Sequence, residues 1–313
     1  MSPTPATGPV AAEVLASGPA PLPVPGRGSA MVMALAGMAM LSSMDAFAKA
    51  LSTTLPIAQI VFFRFTGAAL IMALFLLAVR GAWPQRRFLP HHALRGAVMC
   101  LTAFLFFYGV SRLPLVVGTA LAMSGPIYIA VLSVLVLKER WTRALSMGLV
   151  LGVAGGFVIV LGGGGASGGE TAPVWAWIAA FLAPLSYATG VMLLKSHSTH
   201  EGAAAMTLAQ GAASALIALP FALPGFVTPQ PFDWALIAGL GIAGGLGYLL
   251  IVSALRVLPA SVYSLVDYTS LVWAAGLGLV FFSEVPGLPL WIGGALIILA
   301  CIVGARSPAS EAS

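Results

Sequence analysis

The chain has 313 residues, 60% of them hydrophobic and 7% charged, with a mean hydropathy of +1.03. Soluble domains carry about 25% charged residues, so this is a membrane protein with little chain left for a soluble catalytic or nucleotide-binding domain. The formal net charge of +5 reads as loop charge that sets topology, not as a nucleic-acid surface.

In chain order, residues 1–28 are rich in Pro and Ala and lack a basic segment followed by an apolar one. They read as a disordered cytoplasmic tail rather than a signal peptide. A hydrocarbon core about 30 Å thick takes about 20 apolar residues per helix. That window finds ten spans, near 30–51, 58–79, 94–111, 115–137, 144–161, 174–195, 203–221, 234–255, 260–282 and 288–305. A Gly-rich linker, residues 162–173, separates the fifth from the sixth, and residues 306–313 form a second tail. With both ends inside, the inside set is Arg27, Arg80, Arg86, Arg87, Arg95, Lys138, Arg140, Arg143, Lys195, Arg256 and Arg306, against Arg112 alone outside. Both termini are therefore expected in the cytoplasm.

The second half repeats the first. Leu113, Pro114 and Glu139 fall on Leu258, Pro259 and Glu284 at an offset of 145, as do Leu145, Gly148, Leu151 and Val158 on Leu290, Gly293, Leu296 and Val303. Upstream the offset is 146, which places Lys49 on Lys195 and Arg64 on Gln210. Five spans per half is an odd number, so residues 29–161 and 174–305 enter the membrane from opposite sides. The expected fold is an all-α integral membrane protein of ten transmembrane helices in two inverted five-helix repeats, a signature of transporters.

Within the spans, ionisable groups are costly and point to function. Asp45 and Lys49 stand at i, i+4 on the first span, where they can pair, and Arg64 lies at similar depth on the second. These three are either a structural ion-pair cluster or a site for a carboxylate or coupling ion. Asp267, about two turns into the ninth span, has no cation beside it in sequence, and a substrate ammonium is its natural partner. Tyr108, Tyr128, Tyr187, Tyr248, Tyr263, Tyr268 and Trp273 lie deep enough to line an amphipathic pocket or to be packing residues with satisfied hydroxyls. Pro126 and Pro184, near the centres of the fourth and sixth spans, are expected to kink them and line a cavity. Glu139 and Glu284, at span ends, read as caps of free helix N–H groups.

Chemistry is not indicated. Cys100 and Cys301 lie inside spans as small packing residues, and His91, His92, His197 and His200 fall in loops with no ligand spacing. No span holds a His, and no H-E-x-x-H, G-x-S-x-G or phosphate-binding G-x-x-x-x-G-K-[ST] motif occurs. Neither a catalytic residue, a cofactor nor a metal is therefore expected; a selective channel would need rings of charge that the sequence lacks.

The two five-span repeats, the Phe62-Phe63-Arg64-Phe65 stretch opening the second span, and the Leu-Pro pair followed by Glu in each half together resemble the drug/metabolite transporter superfamily. Within it the chain is similar to EamA-type ten-helix transporters over residues 30–305, and among these to YddG-type amino-acid exporters. That resemblance implies a basket-like bundle around a central cavity, working in the lipid bilayer of the bacterial-type inner membrane. It also implies export of amino acids or related small metabolites, with cationic drugs as the alternative cargo. Asp267 would meet an ammonium, Lys49 or Arg64 a carboxylate, and the tyrosines the rest of the solute. A bundle of this size can enclose its pathway as a monomer.

Overall fold

The computed structural model describes residues 26–110, 124–163, 173–197, 201–270, 272–273, 276–277 and 288–305. They form ten α-helices: α1 Arg27–Leu51, α2 Ile57–Ala78, α3 Leu89–Val110, α4 Gly125–Leu137, α5 Arg143–Gly163, α6 Val174–His197, α7 Ala203–Ala222, α8 Pro231–Leu255, α9 Ala260–Asp267 and α10 Leu288–Ala305. No strand occurs among the described residues. Leu113, Pro114, Arg112, His200 and Glu284 of the sequence reading lie outside them, as do the tails and most of the Gly-rich linker.

Side-chain hydrogen bonds define two faces. At one, the start of α3, the end of α4, the end of α6, the approach to α7 and the α8–α9 turn are tied together through Glu201, Glu139 and Lys195. At the other, the α1–α2 turn meets the start of α8 through Thr54 and Asp233, 3.1 Å apart. Gln59 of α2 clasps the backbone of Val227 after α7 there, donating to its carbonyl at 2.7 Å and accepting from its N–H at 3.0 Å. The first face also carries the start of α1 and the end of α10, and is called the terminal face below.

The inverted repeat is visible in individual contacts. Helices associate in lipid by close packing rather than by hiding apolar surface, which favours small residues at crossings. A Cβ on Gly67 of α2 would lie 2.6 Å from the Gly241 Cα of α8; the counterpart contact sets Gly96 of α3 against Ala213 of α7, 2.7 Å from its Cβ. Gly244 packs on Met44 where α8 crosses α1, and its counterpart is Met99 on Gly190 where α3 crosses α6. Along α5 and α10, Gly155 faces the Gly293 carbonyl and Gly148 the Ala300 carbonyl, which are counterparts again. The packing of α1 with α8 and that of α3 with α6 are therefore one surface used twice, each joining the two halves.

The two prolines stand in different settings. Pro184 stays inside a continuous α6. Pro126 stands in the first turn of α4, where its missing N–H would have had no helical partner in any case. Gly125, lacking a side chain, lets that helix start approach Pro184 and Tyr187. An unanticipated interruption occurs at Tyr268, after which helical geometry resumes at Thr269. Ser264, Thr269 and Ser270 each donate a hydroxyl to the carbonyl three residues back, which satisfies backbone loosened there. Ser124, the N-cap of α4, is the repeat counterpart of Thr269, so the two elements change course at matched depth.

Gly241→Val forces a branched side chain into the Gly67 backbone, and overpacking of this kind costs about 1–3 kcal/mol. The expected result is a lower thermal unfolding midpoint and less monodisperse protein in detergent. Gly28→Val, where nothing lies within 4 Å of an added Cβ, should change neither.

Candidate functional site

Where α9 is interrupted, Asp267 is 8% exposed and faces α6. Tyr187 donates its hydroxyl to Asp267 Oδ1 at 3.1 Å, and the Tyr187 and Tyr263 hydroxyls are 2.9 Å apart. Tyr263 also comes within 3.5 Å of the Met38 sulfur on α1. Helices α1, α6 and α9 thus converge on one carboxylate, which has no cation within ion-pair distance among the described residues. A buried carboxylate without a partner cation is costly, and a hydroxyl or two offsets only part of that. An incoming ammonium would complete the site.

A second charged group lies nearer the opposite face. Asp45 is exposed although it sits well within α1. The positive charge acting on it is the Arg64 guanidinium of α2, rather than Lys49 as the i, i+4 spacing suggested. Arg64 also lies 5.3 Å from the Phe65 ring. Along α1 the stripe Ala34, Met38, Leu41, Asp45 and Lys49 passes from buried at the terminal face to exposed at the other. In this conformation the interior therefore opens away from the terminal face.

The other predicted residues divide. Lys49 is exposed, and its repeat counterpart Lys195 is structural: Lys195 Nζ donates to the Leu255 and Leu258 carbonyls, both at 2.6 Å, and closes the end of α8. Glu139 takes the other half of the same turn, accepting from the Ala260 N–H at 2.8 Å and from the Ser261 N–H and hydroxyl at 3.0 and 2.6 Å. It does cap a helix start, but that of α9 in the other repeat rather than the next helix in sequence. Lys138, in a left-handed turn at φ 56°, ends α4 just before it.

Tyr268 packs among α4, α5, α9 and α10, its hydroxyl buried without a partner among the described residues. Tyr128 packs edge-on against Phe181 at the α4–α6 seam, where Phe181 is itself exposed. Trp273 is 40% exposed and joins no ring contact among the described residues; Tyr108 is half-buried toward the far end of α3. Of the aromatic set, Tyr187 and Tyr263 alone touch the carboxylate cluster through a hydrogen bond among the described residues.

A model of the EamA-like transporter family matches residues 28–161 and again 174–305. The chain belongs to that family. It is 31% identical to a pseudopaline exporter of Pseudomonas aeruginosa (strain UCBPP-PA14), over 89% of this chain and 96% of that one. An S-adenosylmethionine uptake transporter of Rickettsia prowazekii (strain Madrid E) is 25% identical over 82% of this chain and 86% of its own. A solved protein structure superposes with a TM-score of 0.76 at 21% identity, covering 89% of this chain and 96% of that one, and so shares the fold. The protein is thus a multi-pass membrane transporter of the drug/metabolite superfamily, built as two inverted EamA repeats.

Sequence reasoning missed a cluster at the terminal face of this EamA transporter. Arg95, counted there as loop charge, is 1% exposed on α3, and His92 is buried one turn before it rather than lying in a loop. Arg95 donates to Gln210 Oε1 of α7 at 2.7 Å and lies beside the Tyr248 hydroxyl of α8. His92 Nε2 is 2.6 Å from Glu201 Oε2. The one available signal was the register that set Gln210, a polar residue within a span, on Arg64.

Tyr268→Phe removes a buried hydroxyl that has no partner, so the unfolding midpoint should stay the same or rise. A fall of several degrees would show that the hydroxyl is bonded in the membrane.

Proposed function

We propose that the protein is a secondary transporter that exports amino acids or related small metabolites carrying an ammonium group. It would lie in the bacterial inner membrane with both termini cytoplasmic and work by alternating access. The observation that carries this reading is the Asp267 carboxylate, buried at a helix interruption, held by Tyr187 and without a cation among the described residues. Asp267 receives the ammonium, while Tyr187 and Tyr263 orient the carboxylate and flank the solute. Arg64, nearer the open face, takes the solute carboxylate on its way out. Lys49, exposed near the end of α1 on the same side, is the other candidate for that carboxylate.

The charge pattern supports the orientation, since Arg80, Arg86, Arg87, Lys138, Arg140, Arg143, Lys195 and Arg256 all flank helix ends of the terminal face. The relatives support the solute class, because S-adenosylmethionine bears both an ammonium and a carboxylate. The directions in their names, export in one and uptake in the other, leave direction to the gradient. Cationic drugs are the alternative cargo; they would use Asp267 and ignore Arg64.

The test is saturable uptake of labelled threonine, methionine, phenylalanine and S-adenosylmethionine into proteoliposomes. Asp267→Asn keeps the shape and removes the charge, and a lost charged hydrogen bond of about 1.5–3 kcal/mol predicts a KM raised roughly tenfold to a hundredfold. Arg64→Gln should weaken carboxylate-bearing solutes and spare simple cations. Unchanged KM in Asp267→Asn would remove the carboxylate from the site.

A further inference from the structure

The polar cluster at the terminal face has no equivalent at the other end of the molecule. By the repeat offsets, His92 corresponds to Ile237, Arg95 to Leu240, Glu201 to Leu55 and Tyr248 to Ala103. Leu55, Ile237 and Leu240 belong to one apolar core near the opposite face, together with Met44, Ala48, Leu51 and Ile60. The same helix junction is therefore packed with leucine and isoleucine toward the open face and with a buried guanidinium, imidazole and carboxylate at the terminal face. Apolar packing is at least as stabilising as a buried ionic cluster, so the polar version is not needed for the fold.

The hydrogen bonds also fix a protonation state. Glu201 Oε1 accepts from the Gln85 N–H at 2.7 Å, and its Oε2 accepts from His92 Nε2–H at 2.6 Å. His92 Nδ1 faces the donor Arg95 Nη1 at 3.4 Å, so Nδ1 must be the bare, accepting nitrogen. Neutral His92, ionised Glu201 and Arg95 sum to zero charge. The groups facing His92 are Glu201 ahead of α7, Arg95 on α3, His197 at the end of α6, which also stacks with His91 at 4.1 Å, and beyond Arg95 the neutral Gln210 of α7 and Tyr248 of α8.

We propose that His92 is a proton-binding site that releases the terminal-face gate of the transporter. One proton from the water at that face binds Nδ1, the Arg95 Nη1–H···Nδ1 bond breaks because both atoms are now donors, and the cluster carries one uncompensated positive charge. A buried net charge is strongly unfavourable, so the 85–92 segment and the 201–210 segment part, and the closed face opens. Tyr248 of α8 lies beside Arg95 and near the Tyr187–Tyr263 pair, and so between the cluster and the solute site. Burial holds the His92 imidazole below its ordinary range, so the gate responds to acidification below neutrality.

The test needs no solute and so stands apart from the cargo assignment. Hydrogen–deuterium exchange of the full chain in lipid nanodiscs is compared at about pH 5.5 and about pH 8 after correction for the intrinsic rate, with His92 expected to change charge between them. In the wild type, amides of the 84–96 and 201–210 segments should exchange about tenfold faster or more at the acid pH, while those at the α2–α8 crossing do not change. His92→Gln, and the apolar pair H92I/E201L that copies the opposite face, should stay protected at both values. The proposal is overturned if the wild type shows no such acid response, or if both variants respond as the wild type does.

Discussion

Everything in this molecule rests on the close crossing of helices from opposite halves. In lipid there is little to gain by hiding one apolar surface on another, so backbones must approach closely to hold together. The contacts of α1 with α8 and of α3 with α6 supply this by the same small-residue register, Met44 on Gly244 and Met99 on Gly190. Neither half can close these surfaces alone, because each takes one partner from the other repeat. The turn that finishes α8 and starts α9 at the terminal face is held across the same divide by Glu139, while Lys195 of its own half closes the other side.

That symmetric frame carries asymmetric chemistry. Arg64 stands toward one face, with Asp45 acting on it, and the uncharged Gln210 stands at the equivalent place toward the other. Gln210 in turn holds Arg95, for which the symmetric position offers only Leu240. Between these ends, Asp267 sits where α9 loses its helical pattern and hydroxyl groups take over the backbone carbonyls. An interrupted helix at the repeat interface is a recurrent way of building a solute site in transporters. Here it sets a carboxylate between an open approach and a closed one.

Much of this was legible in the sequence. Apolar windows and the offsets of 145 and 146 gave the helical architecture and the inversion, because membrane thickness acts on local composition, and Asp267 stood out because a carboxylate within a span is costly. Partner identity was not legible. Glu139 was read as a cap, yet its target lies more than a hundred residues downstream on α9. Asp45 was paired with Lys49 by helical spacing, whereas the folded chain brings Arg64 to it. Arg95 was assigned to a loop because positive charge normally stays outside the membrane; Glu201 and Gln210, remote in sequence, are what bury it. Prolines were weighted as kinks, although Pro126 falls where a helix begins and Pro184 is absorbed.

The central claim is that the two faces, built by one repeat plan but sealed differently, open in alternation. Spin-label distances across both faces in nanodiscs test it most directly. One pair, Trp83 with Ser196, spans the terminal face, and the other, Ser52 with Thr228, spans the opposite one; all four residues are exposed. The account predicts that conditions which lengthen the first distance shorten the second, with the conformation described here at the end where the terminal face is closed. Distances that lengthen together, or a terminal-face distance that never changes, would contradict it.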